Sequence, residues 1–138
     1  DIEKLVATGI PVLGHIGLLP QTVKAIGGYR KFGGSKQEAE SIYTDAISLE
    51  EAGCFAIVAE MLEDTVATEL ARQIMPPLIG IGSGSNCDGQ ILVTTDLLGW
   101  SNGGVPKFVR PYVNLNKVVA DGLRRYVQDV RTSKIEGK

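Results

Sequence analysis

Apolar and polar positions alternate along the chain with two different periods. Ile2, Leu5 and Val6 recur at helical spacing and Gly9 stops them, so residues 1–8 read as the end of a helix. The run from Pro11 to Ile16 is apolar and rich in branched residues, which predicts a buried strand. Ser35 opens a helix through Ala52, with Glu38 as its capping-box partner. Ala39, Ile42, Tyr43, Ala46 and Leu49 follow at spacings of three and four, and Gly53 supplies the stop. Cys54–Ala59 is a second apolar strand, closed by Glu60. Asp64–Ile74 is a helix with Val66, Leu70 and Ile74 inward, halted before Pro76 and Pro77. Leu78–Ile81 is a third strand and runs into Gly82-Ser83-Gly84-Ser85. Gln90–Leu98 fits strand or helix. Asn114 or Asn116 caps a last helix through Val130, with Leu115, Val118, Val119, Tyr126 and Val127 at its apolar positions. Residues 17–35 form a long connection broken by glycines and Pro20, with room for a short helix at Gln21–Ile26.

Strands that are apolar on both faces and alternate with amphipathic helices imply an α/β fold with a parallel sheet. The C-terminal ends of these strands carry the unusual residues His15, Glu60 and the Gly-Ser loop, and ligands sit at that edge in barrels and open sheets alike. The 138 residues suit one domain without an internal boundary. They are too few for a complete eight-fold barrel of about 250 residues. Three strands and a doubtful fourth leave two architectures, about half of a barrel or an open four-stranded sheet with exposed edges.

Composition removes several classes. Hydrophobic residues are 43% and charged residues 22% of the chain, which excludes a disordered polymer. The net charge of −2 argues against a nucleic-acid surface. No apolar run reaches about 18 residues, so no membrane span is expected. The opening Asp-Ile-Glu-Lys-Leu lacks a basic stretch followed by an apolar one, so no signal peptide is expected in it. Cys54 and Cys87 lack CxxC spacing, which points away from a zinc site and towards a reducing, cytoplasmic setting.

The candidate chemistry rests on few residues. His15 is the only histidine, flanked by Gly14 and Gly17, which let a ligand approach the backbone. It is either a ligand contact or a structural hydrogen-bonder. Glu60 follows five apolar or small residues; a carboxylate so placed is desolvated and becomes a general acid or base, unless it reaches solvent or caps the next helix. Gly80–Gly84 could cradle an anion on backbone N–H groups, but no lysine follows at P-loop spacing. Arg30 beside Gly27-Gly28 reads as an anion contact at a hinge or as a surface turn. Asp88 and Asp96 read equally as a helix cap and a solvated carboxylate or as catalytic groups, Trp100 as core or interface packing, and the basic residues of 117–134 as a solvated helix face.

Taken together, residues 11–21 (PVLGHIGLLPQ), 27–30 (GGYR), 79–90 (IGIGSGSNCDGQ) and 91–93 (ILV), then Asp96, Leu98-Gly99 and Pro106-Lys107-Phe108, resemble ketopantoate hydroxymethyltransferases in order and spacing. The resemblance implies a (β/α)8 TIM barrel of which this chain is the C-terminal half. It implies transfer of a hydroxymethyl group from 5,10-methylenetetrahydrofolate to 3-methyl-2-oxobutanoate, in pantothenate biosynthesis. By the family pattern Glu60 is the catalytic acid/base at C3 and His15 contacts the polar end of the substrate. The family's magnesium (Mg2+) ligands belong to its N-terminal half, so no residue here is assigned to metal. A homo-oligomer or a complementary N-terminal half would complete the fold. Lys134-Ile-Glu136-Gly resembles the family's fourth-strand motif. Two other readings are a non-catalytic half-barrel and a different barrel lyase acting on 2-oxo acids.

Overall fold

The computed structural model describes residues 1–24, 27–101 and 103–134. The chain divides into two compact units, Asp1–Ile91 and Leu92–Lys138. The first unit is an α/β fold. Its elements run α1 (Ile2–Ala7), β1 (Leu13–Gly17), a 3₁₀ turn (Pro20–Thr22), α2 (Lys36–Glu51), β2 (Ala56–Glu60), α3 (Asp64–Gln73), β3 (Leu78–Ile81) and β4 (Gly89–Gln90). The four strands lie in chain order β1-β2-β3-β4 and every pair is parallel.

Strand alternation divides the sheet into two faces. Ile16, Ile57, Ala59 and Leu78 lie on one face and join Ile42 and Ala46 of α2 and Val66, Ala67 and Leu70 of α3 in a single buried cluster. Leu13, His15, Val58, Glu60 and Ile81 lie on the other. The expectation that the first strand is buried therefore fails for half its residues. Gly14 and Ile16 are buried, but Leu13 is 49% exposed. The physical reason is the face, since Leu13 and His15 lie on the side of the sheet opposite the one packed by α2 and α3.

Local chemistry explains the elements. Ser35 caps α2 as expected, its Oγ accepting the Glu38 N–H at 3.2 Å. The reciprocal half of the capping box differs. The Glu38 carboxylate accepts from the Gly33 N–H at 3.2 Å and from the Arg30 guanidinium at 2.6 Å, so it fastens the preceding loop instead. The Gln21–Ile26 helix is replaced by the 3₁₀ turn, and Ala25 and Ile26 lie outside the described residues. The stretch 90–98 is neither one strand nor one helix, because it is split between β4 and a short helix α4, Thr94–Leu97. Residues 82–88 link β3 to β4 without a helix. In place of one, Cys87 and Gln90 fold over Gly80, where an added Cβ would meet Cys87 Sγ at 2.9 Å.

In the second unit, α5 (Leu115–Arg131) is capped by Asn114, whose Oδ1 accepts the Lys117 N–H at 3.0 Å. The carbonyls of Leu97 and Leu98 accept the N–H groups of Tyr112 and Leu115 at 2.8 and 3.0 Å, which ties the returning chain to α4. The apolar positions of α5 do not form a core. Val118, Val119, Leu123, Tyr126, Val127 and Val130 are all exposed, as is Trp100. The tail motif falls partly on residues 135–138, outside the described residues.

Candidate functional site

The structure brings the two site residues of the sequence reading together. His15 on β1 pairs in register with Val58, and Glu60 lies two residues further along β2 on the same face. Diagonal neighbours on adjacent strands are within reach of long side chains. His15 Nε2 stands 3.3 Å from Glu60 Oε2, with side-chain exposures of 33% and 13%. Burial raises the Glu60 carboxyl above the usual carboxylate range, and the neighbouring His15 partly opposes that rise. The result is a half-solvated imidazole beside a largely desolvated carboxyl, at the C-terminal edge of a parallel sheet.

The backbone around Glu60 is held on every side. Its register partner is Gly17, with φ of +85°, and a Cβ there would stand 2.2 Å from the Glu60 carbonyl oxygen. Without that Cβ the Leu18 N–H donates to the Glu60 carbonyl at 2.9 Å. The next residue, Met61, has a φ of +54°, which is uncommon for a residue other than glycine. Its N–H donates to the Ile81 carbonyl at 2.9 Å, and its carbonyl accepts the Phe32 N–H at 2.7 Å. Among the described residues no three His, Cys, Asp or Glu side chains come together to hold a metal ion.

Comparison with known proteins identifies the family of the chain. The family model described as ketopantoate hydroxymethyltransferase matches residues 1–136. The chain belongs to the ketopantoate hydroxymethyltransferase family. Its relatives include proteins named 3-methyl-2-oxobutanoate hydroxymethyltransferase. That of Wolinella succinogenes is 50% identical over 130 residues, 94% of this chain and 50% of that protein. The Phocaeicola vulgatus protein is 43% identical over 130 residues, 94% of this chain and 48% of its own length. The Halalkalibacterium halodurans protein is 41% identical over 137 residues, 99% of this chain and 49% of its own. The chain thus spans about half the length of the curated relatives it matches.

In this member of the ketopantoate hydroxymethyltransferase family, the remaining sequence candidates have structural partners. Arg30 pairs with Glu38 and lies over the Phe32 ring, 4.0 Å from its centroid, so it braces its own loop. The Gly80–Gly84 segment makes a poor anion cradle, because the Asp64 carboxylate packs against Gly84. Asp64 in turn pairs with Lys31. Asp88 accepts the Leu78 N–H at 2.8 Å and anchors the start of β3. Burial pushes the Cys54 and Cys87 thiols up, with Asp88 and Asp64 adding to the rise at Cys87, which disfavours the thiolate at both.

Sequence reasoning missed Gly17 as the residue that lets β1 close on Glu60. It also missed Ser83, whose hydroxyl lies beneath the end of β2. The signal available was a serine between glycines at the end of a strand, which reads equally as a phosphate loop.

Proposed function

We propose that this chain is the second half of a (β/α)8 barrel and carries the acid/base residue of a 3-methyl-2-oxobutanoate hydroxymethyltransferase. The observation that carries the reading is the Glu60 carboxyl, drawn out of water at the end of β2 with His15 Nε2 3.3 Å away. Strands adjacent in chain order suit a barrel segment, whereas a doubly wound sheet reverses its order.

The chemistry follows from the carboxyl. A raised pKa makes its ionised form a stronger base than a carboxylate in water. In this reading Glu60 takes the proton at C3 of 3-methyl-2-oxobutanoate, and the electron pair left behind passes into the enolate. Water releases the one-carbon unit of 5,10-methylenetetrahydrofolate at the oxidation level of formaldehyde, both C–N bonds breaking to leave tetrahydrofolate. C3 bonds to that carbon as its C=O π pair moves onto the water-derived oxygen, which takes up the proton held by Glu60 and becomes the hydroxyl of the new hydroxymethyl group. His15, more open to solvent, holds the Glu60 carboxyl in place through Nε2 and leaves Nδ1 for the polar end of the substrate. The magnesium ion that the family resemblance implies does not find its ligand set among the described residues. Its ligands would belong to the part of the fold outside this chain, and no step here runs through it. The missing partner is then a complementary N-terminal half or, in a larger assembly, further copies of the complete barrel. Free Cys54 and Cys87 suit a reducing compartment such as the cytoplasm. No helix among the described residues is long and apolar enough to cross a membrane.

The test is proton NMR of 3-methyl-2-oxobutanoate in heavy water with magnesium and no folate. The chain is mixed with the N-terminal half of the Wolinella succinogenes relative. Exchange at C3 is expected, and Glu60→Gln should slow it by about 100-fold or more, the usual worth of a positioned base. Exchange that survives Glu60→Gln unchanged would remove Glu60 from the role.

A further inference from the structure

We propose that Ser83 is a positioning residue for Glu60, fixing the end of β2 in the backbone path that sets the carboxyl against His15. The proposal deepens the reading of Glu60 as the base and rests on it for its catalytic consequence.

Ser83 is a buried polar residue, only 1% exposed. Its Oγ donates to the Ala59 carbonyl at 2.8 Å and accepts from the Leu62 N–H at 2.9 Å. Those two backbone groups bracket Glu60 and Met61. Leu62 is fully buried, so without the hydroxyl its N–H would be a buried donor that has lost its acceptor. Met61 meanwhile sits at positive φ, a conformation that persists only where the surroundings over-determine it. The other contacts that hold the turn run from backbone to backbone, from Leu18, Phe32 and Ile81. Ser83 is the side chain in that set, and so the place where a substitution changes the path of the turn. A serine suits it because one oxygen both donates and accepts. Alanine removes both bonds, whereas threonine keeps the hydroxyl.

The experiment uses the full chain with its glutamate side-chain carboxyls labelled with carbon-13. The Glu60 signal is assigned by its loss in Glu60→Gln. Ser83→Ala should move the Glu60 titration midpoint down towards the ordinary carboxylate range as the strand end loosens and water reaches the carboxyl. Amide signals remote from residues 59–62 and 83 should stay in place, and Ser83→Thr should restore the original midpoint. If Ser83→Ala does not fold, Ser83→Cys replaces it under the same criterion. A midpoint unmoved in the folded variant overturns the proposal. In the C3 exchange assay with the complementary half, Ser83→Ala should lower kcat about tenfold or more while KM stays within about twofold. A fall confined to KM would also overturn it. If wild type shows no exchange, the base reading fails, and the carboxyl titration alone decides whether Ser83 positions Glu60.

Discussion

A carboxyl whose pKa is raised by burial carries a cost that depends on pH. Folding favours the protonated form of Glu60, because desolvation outweighs the help from His15. The stability this group contributes is complete below its unfolded pKa and is lost as pH rises through its higher folded value. Glu60→Gln, which cannot ionise, should therefore raise the urea midpoint at neutral pH and lose that advantage below the ordinary carboxylate range. An equal shift at both pH values would show that ionisation is not the cause. Gly17 gives a second prediction at this scale. Alanine at a φ of +85° costs about 1–2 kcal/mol from the backbone alone. Its Cβ would also push on the Glu60 carbonyl. Gly17→Ala should lower stability by at least that much and separate His15 from Glu60, which loss of C3 exchange would register. Glu60 and His15 were legible in the sequence because an acid after an apolar run and a lone histidine between glycines are local patterns. Gly17 and Ser83 act across strands, on Glu60 and on the Ala59–Leu62 backbone, so their meaning depends on a register that no local pattern encodes.

Elements were legible where one local rule governed them. Helix α2 begins at Ser35 because a capping hydroxyl there accepts the Glu38 N–H, and that signal lies within four residues. Ser35→Ala should cost about 0.5–2 kcal/mol by chemical denaturation. The Glu38 carboxylate turns away from the cap to Arg30 and Gly33, and these contacts hold its pKa below the usual value. The stability from that contact is present above the unfolded pKa of Glu38 and fades as pH falls through its lowered folded value. Helix α3 packs Leu70, fully buried, into the cluster shared with Ile57, Leu62 and Leu78. Leu70→Ala should cost about 2–5 kcal/mol, the usual range for a core leucine. Should it cost under about 1 kcal/mol, the cluster would not be the core of this unit. The segment 90–98 was illegible because Cys87 and Gln90 close over Gly80 and leave β4 two residues long. An apolar run cannot announce that its sheet pairing stops there.

At the scale of the molecule, the four-stranded sheet leaves one face less covered than the other. Parallel sheets occur almost always with both faces covered. Here the face that carries Leu13 and His15 is partly open, and among the described residues β1 pairs with β2 alone and so forms an edge of the sheet. Such an edge promotes association with another strand. The chain matches about half of each relative's length, and on the half-barrel proposal the surface that would cover this face is the other half of the barrel. Mixed with the N-terminal half of the Wolinella succinogenes relative, the chain should sediment as a one-to-one complex, and it should self-associate with rising concentration when alone. Leu13→Lys places a charge where the second half would pack and should weaken the complex about tenfold or more while leaving far-UV circular dichroism unchanged. The same substitution on the helix-packed face, at Ile57, would instead unfold the unit, since a lone charge there has no partner in the core. A chain that stays monomeric at all concentrations and ignores the second half would contradict the half-barrel reading, and the exposed edge would then belong to an open four-stranded sheet.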